Sequence, residues 1–207
     1  MFAERLKDNF NTNEPIFTEE ILGLFPDFSR AQVFRYINKA KDDGEIVQYD
    51  KGIYFIPKQT ILGLSTITAD MVIEKKYLRN EKNIYGVYSG IKLFNTFSMT
   101  TQMAAVIEVV TNNESAKYRE IQVKNRRFIL RRSRCRIDKD NAAAYTVLQL
   151  FSEFDKNDVL NDNAKKRLLE YIAVTGVTKE QLFTLSMKFP PKTAQNLIGS
   201  GILNEVA

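Results

Sequence analysis

Apolar residues recur at helical spacing from Val33 through Ile37 to Ala40 and mark one side of a helix. Ser29, just ahead of that stripe, is a good N-cap, because its hydroxyl can satisfy an orphan amide of the first turn. Gly44, just behind it, supplies the left-handed residue on which such a helix stops. The period then changes. Residues 45–49 and 53–56 are rich in strand formers, and Asp50-Lys51-Gly52 joins them as a three-residue hairpin loop with Gly52 at the left-handed position. Pro57 ends the second strand. Upstream, Thr18–Leu24 predicts a shorter helix, followed by a Phe25-Pro26-Asp27 turn. Helix, turn, helix, glycine stop and hairpin is the order of a winged helix-turn-helix, and residues 1–62 are expected to form one.

Farther along, residues 68–78 predict a helix, residues 86–97 a short helix entered after Tyr88-Ser89-Gly90, and residues 102–111 a buried strand. Residues 118–123 and 127–132 alternate around a Lys124-Asn125-Arg126 turn and predict a second hairpin. A helix capped by Asp140 or Asn141 should run to Phe154, with Ala144, Val147, Leu148 and Phe151 on one side. Residues 163–174, 179–187 and 193–198 predict three more, the last set off by Pro190-Pro191. Strands followed by helices make an α+β pattern, so residues 63–207 are expected to be a second domain, with the boundary between Lys58 and Ile67. The pairs Tyr85-Gly86 and Ser89-Gly90 read as turns or tight contacts. Tyr49, Tyr54, Phe55, Phe94, Phe97, Phe128 and Phe151 read as packing residues.

Composition narrows the function more than the fold. The chain has 207 residues, 44% of them hydrophobic, enough for two cores. No apolar run approaches the ~18 residues that suggest a membrane span, and no secretory core is visible near the start. Cys135, the one cysteine, cannot form an internal disulfide, which suits a reducing cytoplasm. It is expected to pack. There is no histidine, so the common base of nucleophilic triads and the HExxH zinc pair are both missing. No P-loop or glycine-rich dinucleotide loop is present, and neither cofactor nor metal is expected. A carboxylate-and-lysine nuclease built on Glu108, Glu114 and the stretch Gln122-Val123-Lys124 ranks last, since glutamine stands where the half-motif needs a carboxylate. An enzyme is not expected.

Charge is unevenly placed. The net charge is +5, yet residues 117–136 hold nine Lys and Arg against Glu120 alone. Lys117, Arg119, Lys124, Arg126, Arg127, Arg131, Arg132 and Arg134 should flank the strands there and form a basic ridge. Such a ridge can track phosphates, receive an acidic protein surface, or protect a sheet edge. Before residue 59 the balance is slightly acidic, so charge in the winged helix matters by position. The outer face of its second helix carries Arg30, Gln32, Arg35, Tyr36 and Lys39, with no acid until Asp42, and Lys51 lies at the wing tip. Arg and Gln can each make two hydrogen bonds to a base edge, whereas Lys and Tyr reach phosphates. These residues predict binding to double-stranded DNA. The competing reading is a winged helix that docks to protein without specific DNA binding.

Two stretches carry a resemblance. GIYFIP at 52–57 and IYGVYSGIKLFNTFSMTTQ at 84–102, followed by a basic hairpin, resemble AbiEi-type antitoxins and transcriptional regulators. The likeness covers roughly residues 18–154, and neither stretch is a catalytic signature. It implies an N-terminal winged helix-turn-helix that represses its own operon at inverted repeats. It also implies a C-terminal domain that counteracts a nucleotidyltransferase-like toxin in a type IV, abortive-infection toxin–antitoxin pair. By that likeness Arg30, Gln32, Arg35, Tyr36 and Lys39 fall on the recognition helix and Lys51 on the wing.

Overall fold

Val33, Ile37 and Ala40 are all buried and form the floor of a core. In the computed structural model, which describes residues 2–61, 63–155 and 158–206, the chain divides into two compact units between Lys75 and Lys76. The first contains helix α1 (Phe2–Asn9), strand β1 (Ile16–Phe17), helices α2 (Thr18–Leu24) and α3 (Arg30–Asp42), and strands β2 (Val47–Asp50) and β3 (Ile53–Phe55). A short hairpin, β4 (Gln59–Thr60) and β5 (Gly63–Leu64), and helix α4 (Ala69–Ile73) follow.

Local signals set the ends of α3. Ser29 Oγ accepts a hydrogen bond from the Gln32 amide at 3.3 Å, and Gly44 takes φ 72° just past the last turn. β3 is the middle strand of an antiparallel sheet of order β1-β3-β2. Its hairpin is tighter than the sequence predicts. Asp50 pairs with Ile53, so Lys51 and Gly52 alone make the turn, and Tyr49 is bulged out of register between Gln48 and Asp50. Gly52 has φ 72°, and its carbonyl accepts from both the amide (3.0 Å) and the hydroxyl (3.2 Å) of Thr18. The hairpin tip is thereby tied to the start of α2. Leu6, Ile16, Ile21, Phe25, Ile46, Tyr54 and Ile56 complete this core.

Helix α1 was not among the expected elements. Eight residues are too few to hold a helix alone, and α1 depends on burying Ala3 and Leu6. The boundary also lies later than expected, beyond Leu62, which is outside the described residues. Contacts to the chain start explain this. Ser65 Oγ donates to Asn13 Oδ1 and accepts from the Lys58 amide. Lys75 Nζ reaches Glu14 at 2.7 Å, Glu20 at 2.9 Å and the Pro15 carbonyl at 2.7 Å, beside the rings of Phe10 and Phe17. A largely buried ammonium is tolerated when its three protons find such partners. Residues 59–75 accordingly belong to the first unit.

A π-helical turn, Glu74–Leu78, follows α4 and runs across the boundary into the second unit. Strand β6 (Gly86–Ser89), helix α5 (Gly90–Thr96) and strands β7 (Val106–Thr111), β8 (Arg119–Val123) and β9 (Arg126–Arg132) come next. Helices α6 (Ala142–Glu153), α7 (Asp162–Thr175), α8 (Lys179–Ser186) and α9 (Pro191–Gly199) complete it. The sheet order is β6-β7-β9-β8, with β7 and β9 parallel and the other pairs antiparallel. The strand expected over 102–111 begins only at Val106.

Helix α6 is buried on more than the one side that its pattern predicts. Tyr145, Gln149, Leu150 and Ser152 are enclosed together with Ala144, Val147, Leu148 and Phe151. Helices α7 to α9 supply the cover through Leu168, Ile172, Leu182 and Leu197. Asn196 Nδ2 donates to the carbonyls of Phe151 (3.0 Å) and Phe154 (3.3 Å), satisfying the open end of α6. At the sheet, the Glu153 carboxylate accepts from Ser89 Oγ, from Gln149 Nε2 and from the Gly90 amide. It caps α5 from another element. The described architecture is α+β, and no described helix is long and apolar enough to cross a membrane.

Gly86 is a point of backbone contact. A Cβ there would lie 2.1 Å from the Tyr77 carbonyl oxygen and 2.9 Å from that of Val110. Neither backbone group can turn aside as a flexible side chain would. We expect Gly86→Ala to destabilise the protein by at least ~2 kcal/mol, at the upper part of the overpacking range. Urea denaturation followed by circular dichroism measures this; a change within ~0.5 kcal/mol would refute the packing assignment.

Candidate functional site

At about 3.6 residues per turn, the side of α3 opposite Val33, Ile37 and Ala40 carries Ala31, Arg35, Asn38 and Lys39. All four are exposed. Arg30 is also exposed, at the flank, with its guanidinium 5.7 Å from the Phe34 ring centre. Arg35 and Lys39 are one turn apart and project together. Lys51, exposed on the turn between β2 and β3, adds another cation of the first unit.

Two of the sequence-predicted contacts are otherwise engaged. Gln32 Oε1 accepts from the Ser29 amide at 2.8 Å while Ser29 Oγ accepts from the Gln32 amide. This reciprocal box closes the start of α3. Gln32 cannot present both amide groups to an adenine edge without giving up that bond. Tyr36 stacks on Phe2 with ring centres 5.4 Å apart and tilts against Phe28 at 5.5 Å. Phe25 joins the same cluster, 4.6 Å from Phe2 and 5.7 Å from Phe28. Tyr36 is therefore a packing residue as much as a surface one.

Asn38 was missed. Its amide makes no hydrogen bond among the described residues, and Asn can pair its oxygen and nitrogen with the adenine edge. The helical period alone would have found it, since it falls beside Arg35 and Lys39.

The basic hairpin forms, but its turn is Lys124-Asn125, with Lys124 at φ 52°, and Arg126 pairs with Val123 as part of β9. The pleat divides its cations. Arg127 and Arg131 share a face with Glu108 and Glu120; Arg119, Arg126 and Arg132 share the other with Phe128 and Leu130. A single ridge does not exist. Several charges are also matched internally. Arg131 donates through Nε and Nη2 to Glu108 Oε2 at 3.1 and 2.9 Å and lies over the Tyr118 ring. Arg119 Nε is 2.7 Å from Glu114 Oε2, and its Nη2 donates to the Tyr77 hydroxyl. Arg127 pairs with Glu120 at 3.4 Å. Arg134 packs on Phe189, and its amide donates to the Tyr145 hydroxyl. Burial pushes that hydroxyl up to about 12, so it stays neutral at physiological pH.

Glu108 and Glu114, the carboxylates of the nuclease reading, are thus held by arginines, while Lys124 sits on the turn. Cys135 is partly buried against the second core, and burial raises its thiol above the usual range, partly offset by Lys188. Lys117 and Arg132 remain exposed. Compared with known proteins, the chain matches no family model and no curated sequence.

The division of labour on α3 is testable without any ligand. Gln32→Ala should cost about 0.5–1 kcal/mol of stability through loss of the capping box. Asn38→Ala should stay within ~0.5 kcal/mol, as for an exposed residue without partners. Equal losses in urea titrations of the two variants would reject the assignment.

Proposed function

We propose that the first unit is a winged helix-turn-helix that binds double-stranded operator DNA, and that the chain is a cytoplasmic, autoregulating antitoxin of the AbiEi type. The observation that carries the DNA reading is the outer face of α3. Arg30, Arg35 and Lys39 are exposed there without an acidic residue before Asp42, and Lys51 stands on a turn fixed to α2 through Thr18. A helix presenting Arg35 and Asn38 can read guanine and adenine edges in the major groove. Lys39 and Lys51 supply phosphate contacts, which set affinity and register without reading sequence. The GIYFIP and YSGIKLFNTFSMTTQ stretches support the family assignment, and with it inverted-repeat operators and a nucleotidyltransferase-like toxin as partner. The separate core of the second unit supports an effector role for that half. No catalytic step is part of this reading.

A protein-docking role for the first unit has one observation in its favour. Phe28 and Tyr36 are each 40% exposed within the aromatic cluster, and aromatic residues are enriched at protein interfaces. Salt separates the two readings, because displacement of counterions makes DNA binding fall steeply as salt rises.

The test is gel shift with DNA upstream of the chain's own gene, paired with rescue of cells arrested by the neighbouring gene's product. Arg35→Ala should weaken specific binding by about 1–3 kcal/mol, as should Asn38→Ala at a site containing its adenine. Full affinity in the doubly substituted protein would rule α3 out as the reader.

Lys51→Glu should lower affinity for all sequences alike and reduce the salt slope by about one unit. A changed sequence preference in that variant would mean that Lys51 touches bases.

A further inference from the structure

Three exposed cations at and beyond the end of β9 share one opening. Arg132, Arg136 and Lys139 line an open cleft of about 1230 Å³ in the second unit, and none of the three has an ion-pair partner among the described residues. The acids of the same lining are mostly engaged. Glu114 is matched by Arg119 and accepts the Ser115 and Ala116 amides. Asp138 Oδ1 accepts the amides of Asp140 and Asn141. With Glu114 and Arg119 matched, Asp138 and Asp140 stand against Arg132, Arg136 and Lys139, so the lining keeps one positive charge in excess.

The backbone that carries these cations is braced. Asn112 Oδ1 accepts from Ser133 Oγ at 2.8 Å and from the Ile137 amide at 2.9 Å, while Asn112 Nδ2 donates to the Ile137 carbonyl at 2.7 Å. Asn141 Nδ2 donates to the Arg136 carbonyl at 2.9 Å. Arg132 and Arg136 therefore leave the chain from either side of a clamped turn, and binding an anion need not order that backbone. Preorganisation of this kind lowers the entropy lost on association.

We propose that this cleft binds the phosphoryl groups of a nucleotide. Guanidinium groups match phosphate oxygens in a two-bond fork, and the ammonium of Lys139 adds a point charge. Ile84 and Tyr85 lie in the same lining and give a nucleoside an apolar wall. The volume is at or above the roughly 300–1,000 Å³ of small-molecule sites, and the cations surround one opening instead of tracking along a surface. The inference is independent of the operator reading, since the cleft is lined by second-unit residues alone.

Isothermal titration of the full chain with ATP, with inorganic pyrophosphate and with a short oligothymidylate tests it. ATP and pyrophosphate should each saturate a single site and compete with each other. The Arg132→Ala/Arg136→Ala protein should lose about tenfold or more in affinity for both, as expected on removing charge-assisted hydrogen bonds. Lys166→Ala/Arg167→Ala removes the same charge from exposed positions of α7 and should change affinity less than about twofold. Absence of ATP and pyrophosphate binding, equal losses in the two variants, or binding of the oligonucleotide alone would each overturn the proposal. Matched thermal melts of both variants guard against loss through unfolding.

Discussion

Strand β9 lies between β7 and β8, bonded along both edges, so its side chains have only two directions to take. Phe128 and Leu130 are completely buried. Their burial fixes the register, because a slip of one residue would drive Arg127, Ile129 and Arg131 into their place. Arg127 and Arg131 are then delivered to the opposite face, where Glu120 of β8 and Glu108 of β7 both stand across from Ile129, the residue between the two arginines. The sheet thus absorbs charge that the linear sequence displays as one block. Arg132 at the end of β9 and Arg136 beyond it have no ion-pair partner among the described residues.

The helices after the sheet obey a related constraint. α6 is buried so widely that its backbone termini and its few polar side chains require partners within the protein. Glu153 turns toward Ser89 and Gly90, and Asn196 of α9 meets the open carbonyls of the same, C-terminal end. These bonds join elements far apart in the chain. They explain why residues 162–206, which carry no recognisable chemistry, are needed as walls of the core that positions the sheet.

In the first unit, the same side chains that look available to a ligand also build the fold. Gln32 closes the start of α3, and Tyr36 packs into a run of rings that includes Phe2 from α1. Arg35, Asn38 and Lys39 are left to face outward because the core stripe occupies the other side of the helix. Gly52 holds the hairpin tip against Thr18, which gives Lys51 a defined mounting. Lys75, engaged by Glu14, Glu20 and the Pro15 carbonyl, draws the following segment into this unit.

The sequence by itself determined α2, the limits of α3, the glycine that follows it, the β2–β3 and β8–β9 hairpins, and the succession of helices from α6 to α9, but not strands β1, β4, β5 and β6. Each of these rests on residues within a turn or two of one another: Ser29 with Gln32, Lys51 with Gly52, the period of Val33, Ile37 and Ala40. Tertiary structure alone decided the existence of α1, the later boundary, the enclosure of α6, and the dispersal of the basic segment over two faces. Those outcomes depend on partners remote in sequence, such as Lys75 with Pro15 or Arg131 with Glu108. A local pattern states which side chains can be buried or paired; only the packed chain decides which of them meet.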